Sequence, residues 1–443
     1  MRRMRNAAKS VFLRRMVLLG AVCLVSVACV LVACGDKPRG KKNVTTLRFA
    51  TYSTDSQFKL EKEIIDAFDR ANEDIEIQLI YTPFDYYIEK VMTLTIGGDP
   101  PDVFWMFPES VPYLASHGAL MDMTEMVDND PTLDKDLYFP NALRLCSYKG
   151  RLYGLPRDVC CYFTVYNKDM FDAAGVPYPT PDWTWNDLLE ISRKLTKDTN
   201  NDGRIDQFGF AWYSFHDVIF QTGNQMLSAD GTKCYLGKEE VCDAVQWWAD
   251  LALKHRVMPR VDESHESTGS DLFIAQRAAI SPMGPWMIGP YREQCKFNWD
   301  VVSMPKGPDG CKARLLGLPI SISPKTKHPE EAYRLVKFLC YSEEAQTLQA
   351  KLGIAMPSRK DIALSDAFRG QPIMPPGIDH YLDTMQNGTV VENVFSYYAS
   401  FKRSYYSMRD VVNMGEKTAR EAGREYQAIV ERDIAKAQRR NQL

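Results

Sequence analysis

Motifs of several common enzyme classes are absent from this 443-residue sequence. It contains no Gly-x-Ser-x-Gly, no His-Glu-x-x-His and no Cys/His pattern typical of a nucleophilic enzyme. A phosphate-binding loop is missing as well, because residues 35–42 have its spacing but end in Gly-Lys-Lys without Ser or Thr. The sequence therefore gives no sign of serine hydrolase, zinc protease or ATPase chemistry.

Net charge is also small. The 54 Lys and Arg residues nearly balance the 57 Asp and Glu residues, which leaves a formal net charge of −3. No broad cationic surface therefore argues for a nucleic-acid partner. With 45% hydrophobic and 25% charged residues, the composition is that of an ordinary globular protein. The 11% aromatic content is more informative, because rings that stand in a cleft can stack on flat ligands.

The first 33 residues have the pattern of a secretory signal peptide. Basic residues precede an apolar run that begins at Met16 and ends in Leu-Val-Ala before Cys34. The order Leu-Val-Ala-Cys resembles the bacterial lipoprotein box, which implies lipid attachment at Cys34 and an extracytoplasmic protein anchored to the cell membrane. Residues 34–44 then form a polar tether. An uncleaved membrane anchor is the alternative, because the apolar run is close to spanning length.

The rest of the chain is longer than one hydrophobic core usually supports, which predicts two lobes. Its first segments have the pattern of two successive βαβ units, with strands at 47–52, 75–81 and 103–107 and helices at 58–71 and 84–96. Such units require a parallel, doubly wound sheet. Ligands in these sheets lie beyond the carboxyl ends of the strands.

Two later segments indicate where the chain crosses between lobes and where a ligand binds. The first crossing is expected near 158–161, and the apolar run 315–323 suits a return crossing. Trp286 follows Gly284 and Pro285 on a turn after a strand-like segment. A turn rich in proline is a poor core element, so we expect Trp286 in a cleft, with core burial as the alternative.

Eight cysteines follow Cys34 in the sequence. An extracytoplasmic location permits disulfides, and an even number allows full pairing. Buried free thiols are the alternative. The residues are Cys146, Cys160, Cys161, Cys234, Cys242, Cys295, Cys311 and Cys340.

Residues 198–206 resemble a calcium-binding loop. Oxygen ligands at alternate positions could point at one centre, and Gly203 permits a sharp turn. The twelfth position is Gly209, where a bidentate acid is expected, so the match is incomplete. A metal-free turn rich in Asp and Asn is the alternative, and we expect no cofactor beyond this structural calcium. The candidate ligands are Asp198, Asn200, Asp202, Arg204 and Asp206.

Six segments together resemble the sugar-binding group of bacterial extracellular solute-binding proteins that serve ABC importers, the group of maltose-binding protein. They follow the family's order along nearly the whole mature chain. The segments are GDPPDVFWM (98–106), HGALMDMT (117–124), YGLPRD (153–158), YNKDMFDAAGV (166–176), FIAQRAAISPMGPW (273–286) and EEAYRLVKFLCYSEEAQ (330–346).

The resemblance implies a two-lobed α/β fold with several hinge crossings, each lobe being a mainly parallel sheet flanked by helices. Lobe 1 is expected at 45–158 and 318–355, and lobe 2 at 159–317 and 356–443. The implied function is non-catalytic: a monomer closes on a carbohydrate in the interlobe cleft and delivers it to the permease subunits.

A sugar site needs aromatic rings for the apolar face of the pyranose and planar polar groups for its hydroxyls. In the resemblance, Trp286 matches an aromatic residue that stacks on sugar, and Glu109 and Asp158 match positions at the cleft and before the first hinge. Core burial is the alternative for each candidate. The candidates are Tyr52, Trp105, Trp212 and Trp286 for the rings and Glu109 and Asp158 for the hydroxyls.

Two other classes of function fit the same features. Paired carboxylates in an aromatic cleft would also serve a surface-anchored glycoside hydrolase. A sugar sensor or adhesin is the second alternative, because nothing internal to the sequence rejects it.

Overall fold

The computed structural model describes residues 44–52, 55–212, 214–263, 268–352 and 355–439. Cys34 and the predicted signal peptide lie outside the described residues. Within those residues, no helix has the length and apolar character needed to cross a membrane.

Short strands alternate with helices along the chain. The strands are β1 (Thr45–Tyr52), β2 (Ile75–Thr82), β3 (Val103–Trp105), β4 (Ser147–Tyr148), β5 (Arg151–Leu152), β6 (Leu155–Cys160), β7 (Phe163–Asn167), β8 (Phe208–Phe210), β9 (Ala278–Met283), β10 (Trp299–Val302), β11 (Ala313–Arg314), β12 (Leu316–Ile322) and β13 (Thr389–Val390).

Helices follow most of the strands. They are α1 (Asp55–Ala71), α2 (Phe84–Ile96), α3 (Val111–Ser116), α4 (Thr124–Asp128), α5 (Lys168–Ala174), α6 (Trp185–Leu195), α7 (Phe215–Phe220), α8 (Glu239–Leu253), α9 (Gly269–Ile274), α10 (Ile288–Gln294), α11 (Pro329–Tyr341), α12 (Glu343–Lys351), α13 (Lys360–Ala363), α14 (Ile378–Asn387), α15 (Tyr398–Asn413) and α16 (Ala419–Arg439). Short 3₁₀ helices occupy Pro108–Ser110, Lys135–Leu137, Ala142–Cys146 and Pro285–Met287.

Two larger sheets organise these elements. The first has five strands in the order β2-β1-β3-β12-β6, and the second has four in the order β10-β7-β9-β8. The two predicted βαβ units are present, since β1, β2 and β3 are adjacent in space and α1 and α2 connect them. Buried apolar residues of β1 and β3, such as Phe49 and Val103, are paired in parallel register.

The predicted parallel character holds for only part of each sheet. β1 and β3 are parallel, as are β8 and β9. In contrast, β12 runs antiparallel to both β3 and β6, and β7 runs antiparallel to both β9 and β10. The βαβ pattern describes strands joined by crossover helices within one sheet, whereas β12 enters its sheet from another part of the chain. Both sheets are therefore mixed.

Adjacent strands carry the chain between the two sheets. β6 ends at Cys160 in the first sheet and β7 begins at Phe163 in the second, which agrees with the crossing predicted near 158–161. The chain rejoins the first sheet in β12. A Cβ atom on Gly317 would lie 2.5 Å from the backbone oxygen of Asp158, so these two strands can approach this closely only because residue 317 is glycine.

A third segment runs beside the same strands. Pro357 forms a bridge with Asp158, and the Ser358 hydroxyl donates a hydrogen bond to the Pro156 oxygen at 2.6 Å. Three lengths of chain thus lie side by side where the sheets meet. The lobe boundaries given above remain a prediction.

Local sequence signals explain several helix starts and ends. The Thr184 hydroxyl accepts a hydrogen bond from the Asp187 amide, and the Asp187 carboxylate accepts one from the Thr184 amide, a capping box that begins α6. Gly175 ends α5 in the left-handed conformation with φ 65°. Apolar faces of α8, α15 and α16 then pack together against the second sheet.

All eight described cysteines are free thiols, and seven of them are buried. The disulfide alternative therefore does not apply to this structure. Cys234 and Cys242, for example, both belong to the apolar core of the second sheet.

Candidate functional site

A cavity of about 1280 Å³ opens where the crossing strands meet. It is lined from the first sheet by residues at the carboxyl ends of β1 and β3, the position that the topology predicts for a ligand. Its aromatic lining residues are Tyr52, Phe84, Phe107, Tyr148, Tyr162, Trp286 and Phe395. Its ionisable lining residues include Glu109, Arg144, Lys149, Asp158, Asp230, Arg314 and Glu392.

Trp286 lies in this lining and is 42% exposed. It belongs to the short 3₁₀ helix that follows β9, as expected for a tryptophan on a turn. A Cβ atom on Gly284 would lie 2.0 Å from the Trp286 ring, so the indole can fold back over its own turn only because residue 284 is glycine. The Tyr162 ring meets the indole edge to face at 5.8 Å.

Tyr52 lines the cavity at the end of β1, where other aromatic rings contact it. Its ring makes edge-to-face contacts with Phe84 at 5.0 Å and with Trp105 at 5.3 Å. Trp105 is only 4% exposed and is not among the described residues that line the cavity. The Arg157 guanidinium lies 4.6 Å from its ring centre. Trp105 therefore supports Tyr52 from behind.

Trp212 has a similar place on the other side. It contacts Tyr162 edge to face at 5.7 Å, and it too is not among the described lining residues. It lies just after β8 of the second sheet. Trp212 supports the Tyr162 ring, which in turn contacts Trp286.

Asp158 lies in β6 at the junction of the sheets and is 5% exposed. Burial raises the pKa of its carboxyl to about 7, although the nearby Arg157 charge and a hydrogen bond from the Leu318 backbone act in the opposite direction. At neutral pH this group therefore exists in both protonation states. It can donate a hydrogen bond when protonated and only accept when ionised.

Glu109 connects the two halves of the site. It follows β3 of the first sheet, and its carboxylate Oε1 lies 3.6 Å from Nζ of Lys402 on α15, which packs in the core of the second sheet. Four of the six predicted ring and carboxylate residues, namely Tyr52, Glu109, Asp158 and Trp286, thus line one cavity.

The sequence profile of the bacterial extracellular solute-binding proteins matches residues 63–376, well over half of the chain. The chain belongs to this family. The resemblance seen in the six sequence segments is thereby confirmed. The family is one of binding proteins rather than enzymes.

Relatives of this solute-binding protein agree in sequence and in fold. An uncharacterized lipoprotein of Streptomyces antibioticus is 26% identical over 316 residues, which cover 66% of each chain. The multiple sugar-binding protein of Streptococcus mutans is 24% identical over 74% of this chain and 79% of its own. The structure of an ABC substrate-binding protein of Listeria monocytogenes in complex with cycloalternan has a TM-score of 0.80 and 24% identity. That match covers 88% of this chain and 99% of the Listeria chain, which confirms the two-lobed α/β fold.

Sequence reasoning missed a pair of charged residues in the wall of this solute-binding protein's cavity. The Arg314 guanidinium contacts the Glu392 carboxylate at 2.9 Å, and both residues line the cavity. Arg314 immediately precedes the predicted return crossing, so a survey of charged residues beside the crossings would have found it. Glu392 follows β13 in a stretch without clear periodicity, and its sequence neighbours gave no signal.

The loop proposed for calcium forms a network of its own. The Asp198 carboxylate accepts hydrogen bonds from the backbone amides of residues 202 and 203, and Asn200 Oδ1 accepts one from residue 202. Asp202 accepts from the Arg204 amide, and Asp206 from the Thr199 amide and hydroxyl. Throughout the described ranges, no group of three or more His, Cys, Asp or Glu side chains is arranged to hold a metal ion.

Proposed function

We propose that this solute-binding protein captures a carbohydrate, either a mono- or an oligosaccharide, in its cavity and delivers it to the permease subunits of an ABC importer. One observation carries the proposal: an exposed tryptophan and a buried carboxyl, Trp286 and Asp158, line the same cavity. A pyranose presents an apolar face to a ring and an edge of hydroxyls to polar groups, which is the chemistry that this pair offers.

The relatives support this substrate class. Their names include a multiple sugar-binding protein, and the Listeria structure holds the oligosaccharide cycloalternan. A cavity of about 1280 Å³ is large enough for several sugar rings.

Within the site, we assign direct ligand contact to Tyr52, Glu109, Asp158 and Trp286. Trp105 and Trp212 do not contact the ligand in this assignment. Trp105 instead packs against Tyr52, and Trp212 packs against Tyr162. The proposed lobes are 45–158 with 318–355, and 159–317 with 356–443. Contacts from both lobes to one ligand would favour the closed state by the difference in affinity between the closed and open states.

We also propose that the protein is a monomer held at the extracytoplasmic face of the membrane by lipid on Cys34. The sequence pattern at residues 31–34 supports this anchor, as does the description of the Streptomyces relative as a lipoprotein. Its family of extracellular proteins is consistent with that location.

A thermal-shift screen of purified protein against mono- and oligosaccharides tests the function, because a ligand that binds only the folded state raises the melting temperature. Analysis of the same mixtures for reducing ends separates binding from hydrolysis. We expect a shift with at least one sugar and no release of product. Steady release of reducing ends would instead favour the glycoside hydrolase.

The substitution Trp286→Ala is expected to weaken sugar binding by more than ~1 kcal/mol, because it removes a stacking ring and the apolar area that the ring covers. The melting temperature should change little, since the ring is 42% exposed. Titration calorimetry with the sugar that gives the largest thermal shift measures the loss.

Trp247→Ala is the matched control. Trp247 lies outside the cavity lining and stacks on Trp185 with ring centres 4.0 Å apart. Its replacement should lower the melting temperature and leave the affinity unchanged. The opposite pattern, in which Trp286→Ala affects only stability, would place Trp286 in a structural role.

We further propose that sugar binding requires no metal. The loop of residues 198–206 is held by hydrogen bonds from its own backbone without a metal, and none of these residues is among the described residues that line the cavity. EDTA is therefore expected to leave the melting temperature and the sugar affinity unchanged. A melting temperature that falls with EDTA and recovers with added Ca²⁺ would show instead that the loop holds calcium.

A further inference from the structure

The Phe395 ring belongs to the cavity lining but has no role in the site described so far. It lies in the segment between β13 and α15 and is half-buried. The ring packs against Gly231, where a Cβ atom would lie 2.6 Å from two of its carbons. Phe395 can therefore pack this closely on the turn only because residue 231 is glycine.

Neighbouring groups hold the segment that carries Phe395 in place. The Tyr397 hydroxyl donates a hydrogen bond to the Gly231 backbone oxygen at 2.8 Å. The Asn393 side-chain amide donates to the Leu227 backbone oxygen at 3.0 Å. The Tyr397 ring is also nearly parallel to the Phe395 ring, with ring centres 5.8 Å apart. A ring fixed in this way loses little conformational entropy when it meets a ligand.

The turn that contacts Phe395 also presents a carboxylate to the cavity. Asp230 directly precedes Gly231, is exposed and belongs to the cavity lining. Its Oδ1 oxygen accepts three hydrogen bonds, one from the Ser228 hydroxyl and two from the amide and hydroxyl of Thr232.

These hydrogen bonds, that from the Ser228 hydroxyl first among them, lower the pKa of Asp230 to about 2, so its carboxylate is ionised at neutral pH. Among the described residues, the second oxygen, Oδ2, has no hydrogen-bond partner. The turn therefore fixes the carboxylate through one oxygen and leaves the other to accept a hydrogen bond from a ligand.

Trp286 and Phe395 are separate rings of the same wall. Within the described ranges, the aromatic contact of Trp286 is with Tyr162, whereas that of Phe395 is with Tyr397. The two lining rings do not stack on each other, so each can stack on a ring of the ligand. The cavity of about 1280 Å³ also exceeds the roughly 300 to 1,000 Å³ of an ordinary small-molecule pocket.

We propose that Phe395 and Asp230 form a second sugar subsite, in which the Phe395 ring stacks on the apolar face of one pyranose and Oδ2 of Asp230 accepts a hydrogen bond from one of its hydroxyls. This inference rests on the carbohydrate-binding function proposed above and specifies the size of the ligand. One sugar ring lies at Trp286 and another at Phe395. Because a monosaccharide can occupy only one of the two subsites, the protein selects oligosaccharides.

The test compares monosaccharides with the trisaccharides built from them, by titration calorimetry on the purified protein. The probes are glucose with maltotriose, mannose with mannotriose and galactose with galactotriose, together with any other oligosaccharide that raises the melting temperature in the thermal-shift screen. At least one oligosaccharide should bind at least about tenfold more tightly than its monosaccharide, because it gains a second stacked ring.

Three variants assign that gain to the second subsite. Phe395→Leu keeps an apolar side chain but removes the ring, so it should weaken the oligosaccharide at least about threefold. Phe395→Tyr keeps the ring and should bind within about twofold of the unaltered protein. Asp230→Asn keeps the oxygen that the turn uses but replaces Oδ2 with a donor, and it should also weaken binding at least about threefold.

Phe297→Leu is the matched control. Phe297 is likewise half-buried and contacts Phe273 edge to face at 5.3 Å, but it is not among the described residues that line the cavity. Its replacement should leave the oligosaccharide affinity unchanged. Circular dichroism identifies any variant that fails to fold, and the comparison of monosaccharides with oligosaccharides on the unaltered protein does not depend on the variants.

The outcomes separate this inference from the function on which it rests. If an oligosaccharide keeps its full affinity for folded Phe395→Leu, the second subsite is refuted while carbohydrate binding stands. Full affinity for Asp230→Asn alone refutes the part of the carboxylate.

Monosaccharides provide a second way to overturn the inference. A monosaccharide that binds as tightly as its oligosaccharide, or that loses affinity in both Phe395→Leu and Trp286→Ala, shows that the two residues hold a single ring and refutes the second subsite. If neither these probes nor the sugars of the thermal-shift screen bind, the proposed function itself fails and the inference fails with it.

Discussion

The substitution Glu61→Gln is expected to lower the free energy of unfolding by about 3 to 5 kcal/mol, because it leaves the Arg157 charge buried without its partner. Arg157 in β6 is fully buried and donates to both carboxylate oxygens of Glu61 on α1, at 2.8 and 2.7 Å. Its Nε donates to Gln349 at 2.8 Å. Urea unfolding of the variant and of the unaltered protein measures the difference.

A neighbouring ion pair on the same helix provides the control. Lys62 and Asp66 are exposed and lie four residues apart on α1, with 2.7 Å between nitrogen and oxygen. Solvent screens such pairs, so Lys62→Gln should change the free energy of unfolding by no more than about 0.5 kcal/mol. If Glu61→Gln and Lys62→Gln lowered the free energy of unfolding by the same amount, burial of the Glu61–Arg157 pair would have no effect on the cost of breaking it.

The double variant Glu61→Leu with Arg157→Met separates the cost of a broken pair from the net value of the pair. Replacing both buried charges with apolar groups of similar volume is often neutral or stabilising. We therefore expect the double variant to recover most of the stability that Glu61→Gln loses. Arg157 also covers Trp105, which contacts Tyr52, so Glu61→Gln should weaken sugar binding as well.

Local patterns predicted the elements that depend on local physics. The helices α1 and α2 and the capping box at Thr184 follow from apolar spacing and from one short polar motif. The antiparallel return of β12 could not be predicted in the same way, because the order of strands in a sheet depends on contacts between distant residues. Helix α14 directly follows a proline-rich stretch and was not predicted, although its buried residues Ile378, Tyr381, Leu382 and Met385 have helical spacing.

In the candidate site, too, some residues could be predicted from local sequence and others depend on contacts between distant residues. Trp286 was predictable because Gly284 and the surrounding prolines mark a turn, and turns tend to lie at the surface. Trp105 and Trp212 carry the same chemistry as Trp286, and only packing decides that they stand behind other rings. Glu392 gave no signal, because its importance depends on an arginine 78 positions away in the chain that β11 and β13 bring beside it.

The second large effect concerns pH. The Asp158 carboxyl has a native pKa of about 7, raised by burial, whereas an unfolded aspartate loses its proton near pH 4. Between these values the unfolded chain binds fewer protons than the native one, so the Asp158 contribution to stability falls as pH rises and levels off above pH 7. Asp158→Asn removes this loss, and its stability relative to the unaltered protein should rise by up to roughly 4 kcal/mol between pH 4 and pH 8.

Asp130 provides a control of opposite sign for that experiment. Although burial opposes its ionisation, Lys337 at 2.5 Å and nearby hydroxyl donors lower its pKa to about 2. Its ionised form therefore stabilises the native state above pH 4, and this contribution disappears as the pH falls toward 2. Asp130→Asn should accordingly destabilise the protein by a nearly constant amount above about pH 5 and by progressively less as the pH falls toward 2, whereas the effect of Asp158→Asn grows from pH 4 to pH 8. Urea unfolding of Asp158→Asn from pH 4 to pH 8 and of Asp130→Asn from pH 2 to pH 8 measures the two trends, and a flat difference for Asp158→Asn would mean that its carboxyl is ionised throughout its range.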